Sequence, residues 1–328
     1  MRDTADWYRG FAEVDARHRS AIYEAWAFGI ADDPALVALI DELPETRRQP
    51  SLVFAVSRLL GAEPVGFDAF RSWLVENWSR VRPGVEARLN QTNEPGRSAA
   101  ILPAIAQLPG PLALLEVGAS AGLCLYPDRY SYRYTGSDGV ATVDPSDGES
   151  AVLLECAITG PVPVPGRLPD VVWRGGIDLA PLDVAKPEDR EWLETLAWPE
   201  EDARRDRIRS AIGIARTDPP LLVAGDATDA LLELAGTAPS DATLVLITSG
   251  VLVYLPYLER LRFIDLARRL DARWVSLEGV AVIPSVQQRV QARRRPTSAG
   301  FVLALDEHPL SFAGPHGQSL DWFEPAAD

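Results

Sequence analysis

Residues 112–126, LALLEVGASAGLCLY, decide the fold prediction for this chain. The first six residues, apolar except for Glu116, predict a short buried strand. Gly118 and Gly122 then bracket a turn of small residues, and a short helical pattern follows the turn. A strand, a small-residue turn and a helix N-terminus together form the cradle in which α/β proteins hold a nucleotide-like ligand. Small side chains are needed there because the backbone must approach the ligand closely.

The spacing of small residues in this turn separates two kinds of cradle. A dinucleotide fingerprint has glycines at its first, third and sixth positions, which here are Gly118, Ser120 and Leu123. Read as acid-x-Gly-x-small-x-Gly, the stretch fits at all four positions: Glu116, Gly118, Ser120 and Gly122. This pattern is similar to the first motif of class I S-adenosylmethionine-dependent methyltransferases, with serine replacing the usual middle glycine. The alternative is a small-residue turn in any doubly wound sheet.

Composition limits the classes of function. The chain has 328 residues, 47% of them hydrophobic. This is enough for one α/β domain with a sizeable core and an extension to that domain. A net charge of −15 repels polyanions, so we expect no nucleic-acid partner. Two cysteines and three scattered histidines predict no metal site. No run of about 18 apolar residues exists to span a membrane, and the polar first ten residues favour a cytoplasmic protein.

Two regions of the chain differ in their patterns. Residues 5–108 show apolar residues at helical spacing, punctuated by proline and glycine, so we expect an all-helical cap over residues 1–110. Strand and helix patterns alternate after residue 110. That alternation predicts an α/β domain over residues 111–328, with a Rossmann-like, doubly wound and mostly parallel sheet.

An insertion at about 128–169 interrupts this alternation. Tyr130, Tyr132 and Tyr134 alternate with polar residues and predict a strand with one aromatic face, and the glycines of residues 136–139 predict a turn. We therefore expect a β-hairpin after the first strand. The tyrosines have two interpretations: a packed strand face, or a wall of the substrate pocket formed by Tyr130 and Tyr132.

Polar residues follow the predicted parallel strands where a doubly wound sheet binds its ligands. With Glu116 at the first strand, Asp178 at the second is placed to accept the ribose hydroxyls of an adenosine. Asp226 and Ala227 follow the third strand, at the place of the adenine, and Thr248 ends the fourth. Each aspartate has a plainer alternative as the N-cap of the next helix.

The run at residues 91–97, QTNEPGR, precedes the helical pattern that leads into the first strand. A helix of about a dozen residues antiparallel to that strand returns the run to the strand's carboxyl end. Asn93, Glu94 and Arg97 are then placed to line the acceptor pocket. In the alternative, Thr92 or Asn93 only caps the helix.

The chain as a whole resembles the DUF2332 family of bacterial proteins. The resemblance rests on five stretches: residues 91–97, residues 115–123 with 128–132 after them, residues 174–183 (RGGIDLAPLD), residues 192–199, and residues 225–227. It implies a fold similar to class I methyltransferases and supplies no reaction. Relatives often have a histidine where Thr248 stands here, which puts a general-base role at that strand end in doubt.

These patterns predict an S-adenosylmethionine-dependent methyltransferase acting on a small molecule. Glu116, Gly118, Ser120 and Gly122 would hold the methionyl end of the cofactor. Two alternatives stay open: a non-catalytic relative that binds an adenosyl ligand, and a serine hydrolase. The latter rests on residues 118–122, Gly-Ala-Ser-Ala-Gly, which match the Gly-x-Ser-x-Gly turn of hydrolases with Ser120 as nucleophile.

Overall fold

A computed structural model describes residues 3–91, 93–291, 293 and 300–323. The chain forms two compact units, one from residues 1–92 with 185–209 and one from residues 93–184 with 210–328. Residues 93–110 and 185–209 thus group differently from the predicted ranges 1–110 and 111–328. None of the helices in the described ranges combines the length and apolar character needed to cross a membrane.

The α-helices of the described residues are α1 (Thr4–Gly10), α2 (Ala21–Ala31), α3 (Pro34–Asp41), α4 (Pro50–Leu59), α5 (Phe67–Glu86), α6 (Arg97–Ile105), α7 (Pro187–Thr195), α8 (Asp202–Thr217), α9 (Ala227–Ala235), α10 (Tyr257–Arg269) and α11 (Pro284–Val290). The strands are β1 (Leu112–Val117), β2 (Ser131–Gly136), β3 (Gly139–Val143), β4 (Leu153–Thr159), β5 (Val171–Asp178), β6 (Leu221–Ala224), β7 (Thr243–Ser249), β8 (Arg273–Gly279), β9 (Phe301–Leu305), β10 (His308–Ala313) and β11 (Ser319–Trp322).

The first unit is helical, and its helices α1, α2 and α3 begin at capping side chains. Ser20 accepts a hydrogen bond from the third residue of α2, and Asp33 accepts two from the start of α3, directly before a proline at its first position. Its core is aromatic. The rings of Trp26 and Phe70 stack with centroids 3.6 Å apart, and Phe54 packs edge-on against both.

The second unit contains one sheet in the strand order β3-β2-β4-β11-β10-β9-β8-β7-β1-β5-β6. The run β6-β5-β1-β7-β8 is entirely parallel. From β1 the chain continues to β5 and β6 on one side and then crosses to β7 and β8 on the other. The carboxyl ends of β1 and β7 therefore flank the point where the strand order reverses, the usual ligand position in such sheets. The predicted mixed α/β architecture with a mostly parallel sheet is confirmed.

One face of this sheet packs against helices. Leu115 of β1 and Leu246 of β7 share a buried cluster with Leu231 of α9 and Phe263 of α10. Beyond β8 the sheet turns antiparallel through β9 and β10. The predicted insertion contains a hairpin, β2 with β3, and β4 then pairs parallel to β2. All three strands join the same sheet, because β4 also pairs with β11.

The prediction of an α-helix after the turn is wrong. Leu123–Leu125 forms one turn of 3-10 helix, and the backbone of Tyr126 leaves the helical region. Pro127 explains this ending, because a proline disfavours the α conformation of the residue before it. The cradle at the end of β1 therefore lacks the α-helix N-terminus that the pattern predicts.

Candidate functional site

The turn after β1 adopts a conformation that few residue types enter easily. The backbone φ is +73° at Gly118, +52° at Ser120 and +72° at Gly122. Glycine tolerates this region, whereas Ser120 must be kept there by its surroundings. The Ser120 N–H donates to Asp178 Oδ2 at 2.8 Å, and its carbonyl accepts from the Leu182 N–H at 3.1 Å. The end of β5 thus fixes the turn.

The glycines of this turn also allow close packing. A Cβ atom at Gly118 would collide with the Val251 side chain, and one at Gly122 would lie 2.8 Å from Pro220. Leu123, where a dinucleotide fingerprint has its last glycine, is fully buried. Close packing within the protein therefore requires both glycines, in addition to the predicted approach of a ligand.

Asp178 ends β5 with both carboxylate oxygens on backbone N–H groups. Oδ2 accepts from Ser120, and Oδ1 accepts from the Ala180 N–H at 2.9 Å. The acid predicted to hold a ribose therefore first holds the protein's own turn. A carboxylate oxygen accepts more than one hydrogen bond, so the ribose contact stays a prediction.

Asp226 is the N-cap of α9. Its Oδ1 accepts from the Thr228 N–H at 2.8 Å and from the Thr228 hydroxyl at 2.5 Å. The capping alternative thus accounts for this side chain. Ala227 is the buried first residue of α9, and an adenine contact at these two residues stays a prediction.

Asn93 ties the two ends of the turn together. Its Nδ2 donates to the Ala119 carbonyl at 3.1 Å, and its Oδ1 accepts from the Leu123 N–H at 2.9 Å. Residue 93 therefore lies at the carboxyl end of β1, where the length of α6 predicts it. The alternative that Asn93 caps α6 is wrong, because Gly96 is the N-cap and the Asn93 side chain bonds to Ala119 and Leu123 instead. Thr92 lies outside the described residues.

Glu116 brings a carboxyl group into the interior beside this turn. Its side chain is 3% exposed, and Oε2 has no hydrogen-bond partner. Burial raises the pKa of Glu116 to about 8, against the opposing effects of the Arg97 charge and the Cys124 thiol. A buried polar atom without a partner is uncommon and costs about 1–3 kcal/mol. This oxygen is therefore a candidate contact for a bound molecule.

Arg97 carries the positive charge of this region. The first residue of α6, it is buried, donating from Nη1 to the Ser249 carbonyl at 2.6 Å and from Nε to the Pro315 carbonyl at 3.1 Å. Its charge lowers the pKa values of Glu116 and Glu278. The guanidinium is thus bonded at the end of β7, and its charge acts on two buried glutamates.

Glu94 is also fully buried, and it bonds both to the start of α6 and to the segment that follows the turn after β1. Its Oε1 accepts from the Gly96 N–H at 2.9 Å, and its carbonyl accepts from the Cys124 thiol at 3.3 Å. These contacts shape the turn before α6. The predicted role of Glu94 in an acceptor pocket is neither required nor opposed by them.

Glu278, near the end of β8, is a member of the site that the sequence interpretation missed. Its Oε1 accepts from the N–H groups of Val251 and Leu252 at 3.2 and 3.3 Å, while Oε2 is buried without a partner. Burial raises the pKa of Glu278 to about 7. The signal was available, because Ser-Leu-Glu-Gly places an acid at the end of the fifth parallel strand, as Glu116 stands at the first.

The end of β7 carries two hydroxyls with different surroundings. Thr248 is fully buried, and its Oγ1 accepts from the Trp274 indole N–H at 3.1 Å. Ser249 is 6% exposed, and its Oγ has no hydrogen-bond partner. The Thr248 hydroxyl, predicted to touch a cofactor, thus already accepts a hydrogen bond within the core, whereas the Ser249 hydroxyl has no partner.

The tyrosines of the insertion are packed. Tyr130, Tyr132 and Tyr134 are fully buried, and their hydroxyls donate to the carbonyls of Leu123, Pro127 and Ala99 at 2.5, 2.7 and 2.8 Å. This matches the packed strand face. A wall of a substrate pocket at Tyr130 and Tyr132 stays a prediction.

The hydrolase alternative needs a base beside Ser120. The positive φ of Ser120 is compatible with a strained nucleophile turn, but its Oγ is buried and has no hydrogen-bond partner. No histidine is therefore hydrogen-bonded to the Ser120 hydroxyl. A serine nucleophile needs a base beside it. Within the described ranges, no group of three or more His, Cys, Asp or Glu side chains is arranged to hold a metal ion.

Of the comparisons with known proteins, only the one with protein families finds a match. The model of the family described as "Uncharacterized protein conserved in bacteria (DUF2332)" matches residues 5–322. No curated protein and no solved structure matches the chain. Because the match spans nearly the whole sequence, the chain belongs to the DUF2332 family.

Proposed function

We propose that this protein binds S-adenosylmethionine at the carboxyl ends of β1, β5 and β7 and methylates a small molecule. One observation carries the proposal. The central strand ends at the reversal of the strand order in a turn of small, positive-φ residues, with the unpartnered Glu116 carboxyl beside it. Ligands of doubly wound sheets bind at this position.

The residues present fit the two ends of this ligand. The methionyl end carries an ammonium, a carboxylate and a sulfonium, and Glu116 offers its cationic groups an acceptor that a nearby cation would ionise. The adenosine end needs acceptors for hydroxyls and an apolar surface. Asp178 is half-buried, Asp226 is exposed, and Leu179, the residue directly after β5, is 70% exposed.

The same geometry disfavours a dinucleotide. A pyrophosphate is usually held by the N–H groups and the dipole of an α-helix N-terminus. Here the turn leads into a single 3-10 turn, Leu123–Leu125, and the side chains nearest to it include the acids Glu116 and Asp178. A negative ligand would meet these two acids, and the nearby guanidinium of Arg97 already donates to two backbone carbonyls.

The bound cofactor would supply an electrophilic methyl group on a sulfonium. The chain's own contribution is to orient the ligand and to exclude water, which accounts for most of what such a reaction asks of a protein. Asn93 and Asp178 hold the turn rigid for this purpose, and Glu116 provides a fixed negative charge when a cation is bound.

Calorimetric titration tests the proposal. We expect saturable binding of S-adenosylmethionine and S-adenosylhomocysteine to the purified chain, and no binding of NAD. Glu116→Gln should weaken adenosyl binding about tenfold or more, the scale of a hydrogen bond to a charged group, while Glu233→Gln, at an exposed position on α9, should bind like the wild type.

Two outcomes of this titration would contradict the proposal: binding of NAD alone, or no binding of either adenosyl ligand. Formation of S-adenosylhomocysteine on incubation with a panel of small acceptors then separates an enzyme from a binding protein that has lost catalysis.

A further inference from the structure

A cavity in the first unit is lined by charged side chains that the proposed function does not use. It measures about 330 Å³ and is lined by residues of α4, α7 and α8. This volume lies at the small end of the range for ligand sites, so it suits a small molecule. The charged part of the lining consists of three arginines and two glutamates: Arg58, Arg190, Arg205, Glu191 and Glu194.

Arg58 brings a positive charge to this cavity without a carboxylate to balance it. The residue is half-buried, and its Nη1 donates to the Tyr23 hydroxyl at 3.1 Å and to the carbonyls of Thr195 and Ala197 at 3.1 and 2.7 Å. Among the described residues, Nε and Nη2 have no acceptor and the guanidinium has no ion pair. A charge withdrawn from water favours a counter-charge, so these two nitrogens remain available to an anionic group.

Arg205 adds a second guanidinium whose own contacts are weak. Its Nη1 donates to Asp202 Oδ1 at 2.6 Å, but the Asp202 side chain is 79% exposed, so water screens this ion pair. Its Nη2 lies 3.4 Å from the carbonyls of Trp198 and Pro199, which is longer than a good N–H···O hydrogen bond. Much of the Arg205 charge therefore remains available to a ligand.

The two glutamates supply acceptors on α7. Glu191 and Glu194 are three residues apart, so they are neighbours on the helix surface. Glu194 Oε2 accepts from Arg209 Nε and Nη2 at 3.2 and 2.8 Å, and Oε1 has no donor among the described residues. Glu191 forms no ion pair within the described part of the chain. The cavity thus offers acceptors for a cationic group as well as donors for an anionic one.

We propose that this cavity binds a small zwitterion of the α-amino-acid class. Its carboxylate would bind the guanidiniums of Arg58 and Arg205, whose planar donors match a carboxylate, and its ammonium would bind the carboxylates of Glu191 and Glu194. A molecule with both charges satisfies both parts of the lining, whereas a simple anion would also meet the acids and a simple cation the arginines. The site does not depend on the proposed methyl transfer.

An NMR titration with L-alanine, propionate and ethylamine tests the site, because propionate lacks the ammonium of L-alanine and ethylamine lacks its carboxylate. We expect saturable binding of L-alanine. Propionate and ethylamine should each bind at least tenfold more weakly, since each loses the hydrogen bonds of one charged group.

Two variants locate the binding. Arg58→Gln retains a hydrogen-bond donor but removes the charge, so it should lower the affinity for L-alanine at least tenfold. Glu191→Gln, at an exposed position, should lower it at least fivefold and should narrow the preference for L-alanine over propionate. The controls Arg17→Gln and Glu76→Gln, also exposed and in the same unit, should bind like the wild type.

The site would be overturned by an absence of saturable L-alanine binding, or by an affinity for propionate or ethylamine equal to that for L-alanine. It would also be overturned if a folded Arg58→Gln or Glu191→Gln variant bound L-alanine within twofold of the wild type. Should Arg58→Gln fail to fold, the exposed Glu191→Gln variant decides.

Discussion

The acids at the ends of β5 and β6 differ in their surroundings from the acids of β1 and β8. At the ends of β5 and β6, Asp178 and Asp226 accept hydrogen bonds from backbone N–H groups close by. At β1 and β8, Glu116 and Glu278 are buried, and each leaves an oxygen without a partner. Acids of the first kind build local structure. Those of the second kind reduce stability unless something binds to them, so they indicate function more strongly.

The largest effect should come from removing the buried cation whose charge acts on both glutamates. Arg97→Met leaves two carbonyls without a donor and Glu116 and Glu278 without a compensating charge. We expect the free energy of unfolding to fall by about 3–5 kcal/mol. Urea denaturation measures it. Arg262→Met, at a side chain 71% exposed, is the control and should change little. Equal losses in both variants would remove the special status of Arg97.

A smaller effect, opposite to the usual behaviour of carboxylates, should appear in the pH dependence. The pKa of Glu116 is raised from 4.5 to about 8, so the folded protein binds its proton more tightly than the unfolded chain. Its contribution to stability is full below pH 4.5 and is lost as the pH rises through about 8. Glu116→Gln, which mimics the neutral form, should therefore gain on the wild type between pH 5 and 9, by on the order of 3 kcal/mol.

Urea denaturation at pH 5, 7 and 9 measures this gain, with Glu233→Gln as the matched exposed control. Parallel stability curves for Glu116→Gln and the wild type would show that Glu116 is not buried as described.

The smallest effect should distinguish the two aspartates. Asp178→Ala removes acceptors from Ser120 and Ala180 and should destabilise the protein by about 2 kcal/mol. Asp226→Ala removes one exposed helix cap and should cost about 1 kcal/mol. Thermal denaturation compares the two. A larger loss at Asp226 would reverse the order and with it the view that Asp178 fixes the turn.

Much of the fold could be predicted because the strands of the parallel run are short and apolar. The alternation of strand and helix patterns after residue 110 predicts a mostly parallel sheet, and the run β6-β5-β1-β7-β8 has this arrangement, because such alternation is a strong local signal. The place of β4 beside β11 was beyond reach, since pairing between segments about 160 residues apart leaves no local pattern. The absence of a helix after the turn could have been predicted from Pro127, which disfavours the α conformation at Tyr126.

The site was predictable to the level of strand ends. Glu116, Asp178, Asp226 and Thr248 lie at or just after the ends of β1, β5, β6 and β7, because parallel strands bring their carboxyl ends to one edge. Which of them are engaged by their neighbours depends on side-chain hydrogen bonds such as that of Asp178 to Ser120, 58 residues away. No spacing rule reports such a contact, and burial, which distinguishes Glu116 and Glu278, depends on the packing of the whole unit.

Hydrogen exchange with and without S-adenosylhomocysteine tests the location of the ligand site most directly. If the ligand binds at the ends of β1 and β7, peptides covering residues 116–125 and 247–255 should exchange more slowly in its presence, and the Glu116→Gln variant should lose this protection. Unchanged exchange in both peptides at a saturating ligand concentration, or slowing confined to other parts of the chain, would contradict the account.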